Sequence, residues 1–391
     1  MYELKGVVKD YAWGGYCYIP MILSQKAEGK PCAEYWLGEH PLGTAVTEDG
    51  KSLSEIIDSN PVKVLGQEIC DCYKNRLPYL FKVLDVREPL SIQVHPTKEQ
   101  AEIGYMREEQ EHKAASLRNY KDDNHKPELM LALSDFYLLH GFANKDVALA
   151  NLKRFDTLKS LYQYYQEKGL KEFVSYIFSQ SKEALYEMLY PIVNDNTQAY
   201  NEGKISKADP LFWLVRAAIR AYECNQPLDA GLIMILIMNL MYVEKGQVVF
   251  QGAGVPHAYL EGQNIELMAN SDNVIRGGLT PKLVDVKELL KIVKFDEITP
   301  KCIEPKHLED GGLEFNVPVK DFKLTVYNLK KGQAFKLADT HTPNLWFVGS
   351  GEFSYNGKYL TQGSALFQAL GEETNIVATS DVVLYKASAA L

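Results

Sequence analysis

Of the eight histidines in this 391-residue chain, His95 and His257 each sit in a β-like context beside other possible metal ligands. Polar and apolar residues alternate strictly in Ser91-Ile92-Gln93-Val94-His95. Gln93 and His95 therefore project from one face of an extended strand and can converge on one ion. A neutral amide is an uncommon zinc ligand, and alone the pair reads more readily as a hydrogen-bonded Gln and a satisfied His on a barrel wall. A second group is Asn124-His125-Lys126-Pro127-Glu128-Leu129. The proline pushes Lys126 out of the helical region, so Lys126 and Glu128 share one side of an extended segment. That sets an ammonium and a carboxylate towards one pocket, although an isolated pair of this kind is usually a surface ion pair. A third group, Val255-Pro256-His257-Ala258-Tyr259, aims His257 and Tyr259 to one side; Glu266 and the run Ala269–Lys282 follow, with Arg276 and the pair Gly277-Gly278. That run has the loop chemistry of anion or polyol recognition, or of an ordinary turn with a solvated arginine.

Five ordered segments closely resemble the type I phosphomannose isomerase family: YAWGG (Tyr11–Gly15), PLSIQVHP (Pro89–Pro96), RNYKDDNHKPEL (Arg118–Leu129), PHAYLEG (Pro256–Gly262) and NSDNVIRGGLTPK (Asn270–Lys282). The resemblance implies a cupin jelly roll holding one Zn2+ per subunit on Gln93, His95, Glu128 and His257. Two neutral imidazoles, an amide and one carboxylate would leave the ion a net charge of +1. It further implies interconversion of mannose 6-phosphate and fructose 6-phosphate by proton transfer between C2 and C1 through a cis-enediol(ate), which links glycolysis to GDP-mannose metabolism. Arg276 falls on the family's active-site arginine. Lys82, Ser91 and Lys126 match positions the family ties to the phosphate-binding region, and Lys282 matches one it ties to the active site near that region. Trp13 is expected as a pocket wall or a buried core residue, and Tyr259 as a substrate contact. The acid/base residue stays open among Glu266, Asp272, His95, Lys126 and Tyr259; Glu266 and Asp272 are favoured because carboxylates are the commoner enediol bases. His125 is expected to orient the Lys126-Pro127-Glu128 segment.

The elements that must place these groups read as β, α, β, β. Strands dominate around Leu77–Pro96. After about residue 144 apolar residues recur at helical spacing (Leu158, Leu161, Tyr165; Phe173, Ile177; Leu185, Leu189), with Gly169 and Pro191 as breaks and Asp209-Pro210 as a helix start. Short strands return in Leu232–Val243, Gln247–Phe250 and Ile265–Met268, with turns at Glu244-Lys245-Gly246 and Glu261-Gly262. From Leu324 onward LTVYNL, FKLAD, LWFVGSG, EFSYNG, SALFQAL, IVATS and VVLYKA follow at intervals suited to a sandwich or barrel. The expected fold is mainly β: a metal-bearing catalytic cupin from 1–145 plus 231–305, a helical insertion at 146–230, and a cupin-like β domain without metal at 306–391, where His341 is the sole histidine after Leu324.

The totals set outer bounds. With 42 Lys+Arg against 51 Asp+Glu the net charge is −9, and no run of four basic residues occurs, so nucleic acid is not expected as a partner. The apolar run Leu232–Val243 is twelve residues interrupted by Asn239, short of the roughly 20 a membrane span needs. Six dispersed cysteines without a C-x-x-C pair point to a reducing cytoplasm. A monomer acting on a hexose 6-phosphate is expected. Two rivals remain on the same scaffold: a metal-dependent cupin oxygenase and a non-catalytic sugar-phosphate-binding protein.

Overall fold

The computed structural model describes residues 1–338 and 341–391. Its central element is the thirteen-residue strand His257–Ala269, long enough to belong to two sheet layers. The second half pairs antiparallel with Tyr79–Val86 on one side and Glu128–Ala132 on the other; the first half pairs with Gln93–Val94 and Phe136–Phe142. The register shifts between Tyr259 and Glu261, and Gly262 follows at φ +130°. A Cβ there would lie 2.5 Å from the Phe136 ring, so only glycine lets the strand bend at this close approach. The expected turn at Glu261-Gly262 is thus a bulge inside one strand.

Alternation sorts side chains onto two faces. Leu84, Val86, Met130, Ala132 and Tyr259 fill one end of the barrel interior, and Trp36, Leu80 and Met268 gather at the other. On the outer face Phe81, Val83, Leu129, Leu131, Ile265 and Leu267 share a core with Phe322, Leu324, Leu345, Phe347 and Phe367 of the C-terminal part. Each such burial contributes about 1.5–3 kcal/mol before conformational costs. The C-terminal strands form a four-stranded sheet and six strands of an eight-stranded one, which the N-terminal strands Tyr2–Lys5 and Val46–Thr47 complete through Ala365–Gln368. The cupin-type architecture with a helical insertion is therefore present. Asp339, the last residue of the FKLAD segment, lies outside the described residues.

Helices follow one another from Lys145 to Ile237. Asp209 caps Pro210–Glu223 by accepting from the Leu211 N–H, and Gly169 separates Lys159–Lys168 from Leu170–Phe178. Pro191 is not a break: the helix Lys182–Asn201 runs through it. The lost N–H bond there costs about 3 kcal/mol, set against burial of Leu185, Leu189, Ile192 and Val193. Leu232–Val243 is also not one strand, since Gly231–Ile237 is helix and Met238–Val243 strand. An unbroken apolar run has no period to tell the two apart. The helices share a core with Ile92, Val94, Ala258 and Ile275, and so back the strands that carry Gln93, His95, His257 and Arg276. No helix among the described residues is long and apolar enough to cross a membrane.

Candidate metal centre

Strand register brings the separate motifs together. His257 stands opposite Gln93, and Gln93 stands opposite Arg276 on the neighbouring strand. Glu128 opens the strand beside Gln251 and Met268. The result is a buried group, His95, Glu128 and His257, whose donor atoms all lie within 4.8 Å of one another. The two imidazole centroids are 5.0 Å apart.

Hydrogen bonding fixes both tautomers. The His95 Nδ1–H donates to the Asn273 carbonyl at 2.8 Å, and the His257 Nδ1–H donates to the Val255 carbonyl at 3.0 Å. A carbonyl only accepts, so in the neutral ring, the form that binds metal, Nε2 presents a lone pair. Those lone pairs face the Glu128 carboxylate at 3.3 and 3.2 Å, and His95 Nε2, fully buried, has no hydrogen-bond partner. Three acceptors aimed at one point repel unless a cation sits among them, with backbone carbonyls orienting the imidazoles as metal-ligating histidines require. Burial and the nearby Lys126 ammonium push His95 down to about 4, which keeps its ring neutral. Burial opposes ionisation of Glu128, but the Lys126 ammonium, 2.7 Å from its Oε1, holds the carboxyl well below the usual glutamate range. This donor chemistry fits a divalent ion such as zinc.

Next to this group lies a buried charge cluster. Lys82 and Glu266 are direct cross-strand neighbours, with Lys82 Nζ 3.1 Å from Glu266 Oε2, 3.6 Å from Glu34 Oε2 and 4.9 Å from the Trp36 ring centroid. Burial alone would lower the lysine, but Glu34, Glu266 and Glu128 outweigh it and hold its ammonium charged. Burial raises Glu266 above the ordinary carboxyl range, only partly offset by Lys82. Burial and the Glu266 and Glu128 carboxylates keep the Tyr259 phenol well above its usual range.

The remaining expected residues fall at the rim. The Asp272 N–H donates to Asp122 at 2.7 Å, while its carboxylate lies 3.6 Å from His40 Nε2. Glu266 and Asp272 thus occupy different places, one sealed on Lys82 and one at a mouth. Arg276 is half-buried and Lys282 exposed, and the Arg276 charge, then burial and Lys121, depress Lys282. Ser91 is half-buried, two residues before Gln93. Trp13 is half-buried, stacks on Tyr11 at 5.9 Å and closes the apolar end of the interior. A cleft of about 1350 Å³ opens beside the barrel; His40, Asp272, His125 and Asp321 line it, but none of the three metal-facing donors does.

The sequence reading missed Glu34, Trp36, His40, His140 and Gln251. His140 Nδ1 bonds the Gln251 amide oxygen at 2.6 Å inside the barrel, and the His40 Nδ1 accepts from the Leu42 N–H at 3.1 Å. The alternation Glu34-x-Trp36 was the available signal.

Residues 1–145 match the family model described as phosphomannose isomerase type I, catalytic domain. The chain is 33% identical to a mannose-6-phosphate isomerase of Escherichia coli (strain K12) over 84% of each chain, and 30% identical to that of Schizosaccharomyces pombe over 99% of each. Among solved structures, an alanine variant of phosphomannose isomerase from Salmonella typhimurium superposes at TM-score 0.87 with 29% identity over the whole of both chains. A mannose 6-phosphate isomerase bound with zinc and yttrium superposes at 0.85, with 29% identity and the same coverage.

Proposed function

The chain belongs to the type I phosphomannose isomerase family, and we propose that Gln93, His95, Glu128 and His257 hold its zinc while the charges around them run the isomerisation. It is a zinc-dependent mannose-6-phosphate isomerase, interconverting mannose 6-phosphate and fructose 6-phosphate. The observation that carries this reading is the convergence of the His95 and His257 Nε2 atoms on one buried carboxylate. When bound, the ion supplies Lewis-acid stabilisation for negative charge that develops on substrate oxygen.

The chain's own residues do the rest. Glu266, whose affinity for a proton burial raises, is assigned to move the proton between C2 and C1 through the cis-enediol(ate). Asp272, beside His40 at the rim, is assigned to an exchange at the sugar's solvent-facing oxygens. Lys82 is ion-paired on both sides and buried, so its role is to tune Glu266 rather than to grip phosphate. Lys126, tied to Glu128, presents positive charge to the reacting oxygens. Arg276 is assigned to the developing enediolate and the sugar hydroxyls, and Ser91 and Lys282 to the substrate's phosphate, so that remote binding energy orients the reacting carbons. Trp13 and Tyr259 are assigned to the wall of the site.

The division proposed is a metal-bearing unit of 1–145 and 231–305, a helical insertion of 146–230 and a C-terminal unit of 306–391. Tyr2–Lys5 crosses into the last. Six free thiols support a cytoplasmic setting, and the presence of every proposed ligand in one chain supports a monomer. A coupled assay following fructose 6-phosphate formed from mannose 6-phosphate, before and after chelation, tests the whole reading. Turnover is expected to vanish with the metal and return with zinc; an inert zinc-loaded protein would overturn it.

A further inference from the structure

The segment that carries Lys126 and Glu128 is held from two sides. On one, the end of the central strand and the loop 270–273 after it grip it: Asn273 Nδ2 and Ser271 Oγ donate to the Asn124 carbonyl at 2.8 and 3.3 Å, and the Ala269 N–H donates to the Pro127 carbonyl at 3.1 Å. On the other stands a residue from the C-terminal part. His125 Nε2 lies 3.0 Å from both oxygens of Asp321, so its N–H donates to that carboxylate. Asp321 is only 4% exposed. It is fixed in turn by Phe322 and Leu324, both fully buried in the core they share with Leu129 and Leu131, the residues that follow Glu128.

A buried carboxylate is an expensive way to pack a domain boundary, since an apolar residue of similar size is often neutral or stabilising there. Its bond to His125 does something packing cannot. It sets the direction of the chain one residue before Lys126 and three before Glu128.

We propose that Asp321 is a positioning residue of the isomerase site, acting through His125 to hold the Lys126-Pro127-Glu128 segment at the metal. The C-terminal part is then a structural member of the metal centre. The inference rests on Glu128 being a zinc ligand, as argued above.

The test uses the full chain as Asp321→Ala, Asp321→Leu, His125→Ala and the double variant Asp321→Ala with His125→Ala. Zinc affinity is read by competition with a chromophoric chelator, beside kcat, KM and the melting temperature of the metal-free protein. Loss of an outer partner typically weakens metal binding about 10–100-fold, and the lower end, roughly tenfold, is expected for Asp321→Ala, with kcat falling while KM stays within about twofold. Asp321→Leu fills the same space, so its metal-free melting temperature should hold or rise while its zinc affinity falls. Because Asp321 acts through His125, the double variant should be no worse than the worse single variant. Unchanged zinc affinity in Asp321→Leu, or fully additive losses in the double variant, would overturn the positioning role. Zinc affinity is measured without substrate, so an unsubstituted chain that binds zinc but does not isomerise would count against the reaction alone.

Discussion

The C-terminal strands enclose Tyr327, Trp346, Phe353, Leu366, Ile376 and Leu384, with Lys386 Nζ 5.6 Å from the Trp346 ring. The first barrel encloses His95, Glu128, His257, Lys82, Glu266, Tyr259 and Gln251 instead, all nine-tenths or more buried. Both interiors are walled by antiparallel strands with alternating faces. In one, ordinary close packing meets the cost of ordering the chain. In the other, buried charges are balanced only by each other, and His95 Nε2, Gln251 Nε2, Tyr259 Oη and Asn264 Oδ1 lack hydrogen-bond partners; the C-terminal strands leave only neutral groups so among the described residues, at Thr325 Oγ1, Asn344 Oδ1 and Ser388 Oγ. An interior of that kind costs stability unless a ligand completes it, so the polar barrel trades stability for chemistry and the apolar one supports it.

The sharpest way to break the comparison is Glu128→Ala. It removes the one carboxylate on which both imidazoles converge, so bound zinc should be lost and turnover should fall by more than the roughly 100-fold upper limit for an outer partner. Zinc at about a hundred times its dissociation constant should add about 2.7 kcal/mol to the unsubstituted chain and nothing to this variant. Metal analysis after dialysis, with melting curves at graded zinc, reads both. Arg276→Ala is the control: zinc is kept while most turnover disappears. If its loss fell on KM with normal kcat, Arg276 would be a binding residue and not a stabiliser of the enediolate.

Trp346→Ala is the mirror experiment. This ring is 2% exposed, packs near Tyr327 and Phe335, and donates through Nε1 to Gln368 at 2.8 Å. Truncation should cost about 3–5 kcal/mol of unfolding free energy. Activity of the molecules still folded should stay within about twofold, because the residue shares no contacts with the metal centre. Denaturant melts beside steady-state rates at low temperature check this. A large drop in kcat would show that the apolar interior shapes the site as well as supporting it.

What could be read from the residues follows the same division. Alternation and turn residues gave away the C-terminal strands, and Asp209-Pro210 the helix it caps, because local backbone rules act there. The metal group was legible only through motif resemblance, since strand pairing joins residues 95, 128 and 257 over long separations. The helix Lys98–Gln110 escaped notice because it buries little beyond Ala101, Gly104 and Glu108 and so has no apolar stripe. Its capping box, Thr97 with Gln100, was the signal to use. Lys82 matched a phosphate-region position, yet the strand beside it supplies Glu266 directly opposite, a pairing no local pattern announces.

The smallest effect belongs to charges that are neither sealed nor free. Glu261, on the bulge of the central strand, accepts from Arg216 and Lys207 of the helical insertion, and Arg216 also lies 3.6 Å from Glu88. Burial raises its carboxyl, but Arg216 and Lys207 outweigh that and set it below the ordinary glutamate range. The folded protein therefore gives up this proton more readily than the unfolded chain. The pair's contribution is fully present above the unfolded value of about 4.3 and is lost as pH falls through the lower folded value. At 29% exposure of the Glu261 side chain solvent screens much of the interaction, so Glu261→Gln should cost only about 1 kcal/mol at pH 7. The variant's stability should also fall less steeply than that of the unsubstituted chain below about pH 4. Urea melts across pH 3–7 in both proteins measure it. Parallel acid limbs would mean that the seam between helices and barrel is held by the apolar core around Ile92 and Ala258, with the charges serving only to set the angle of approach.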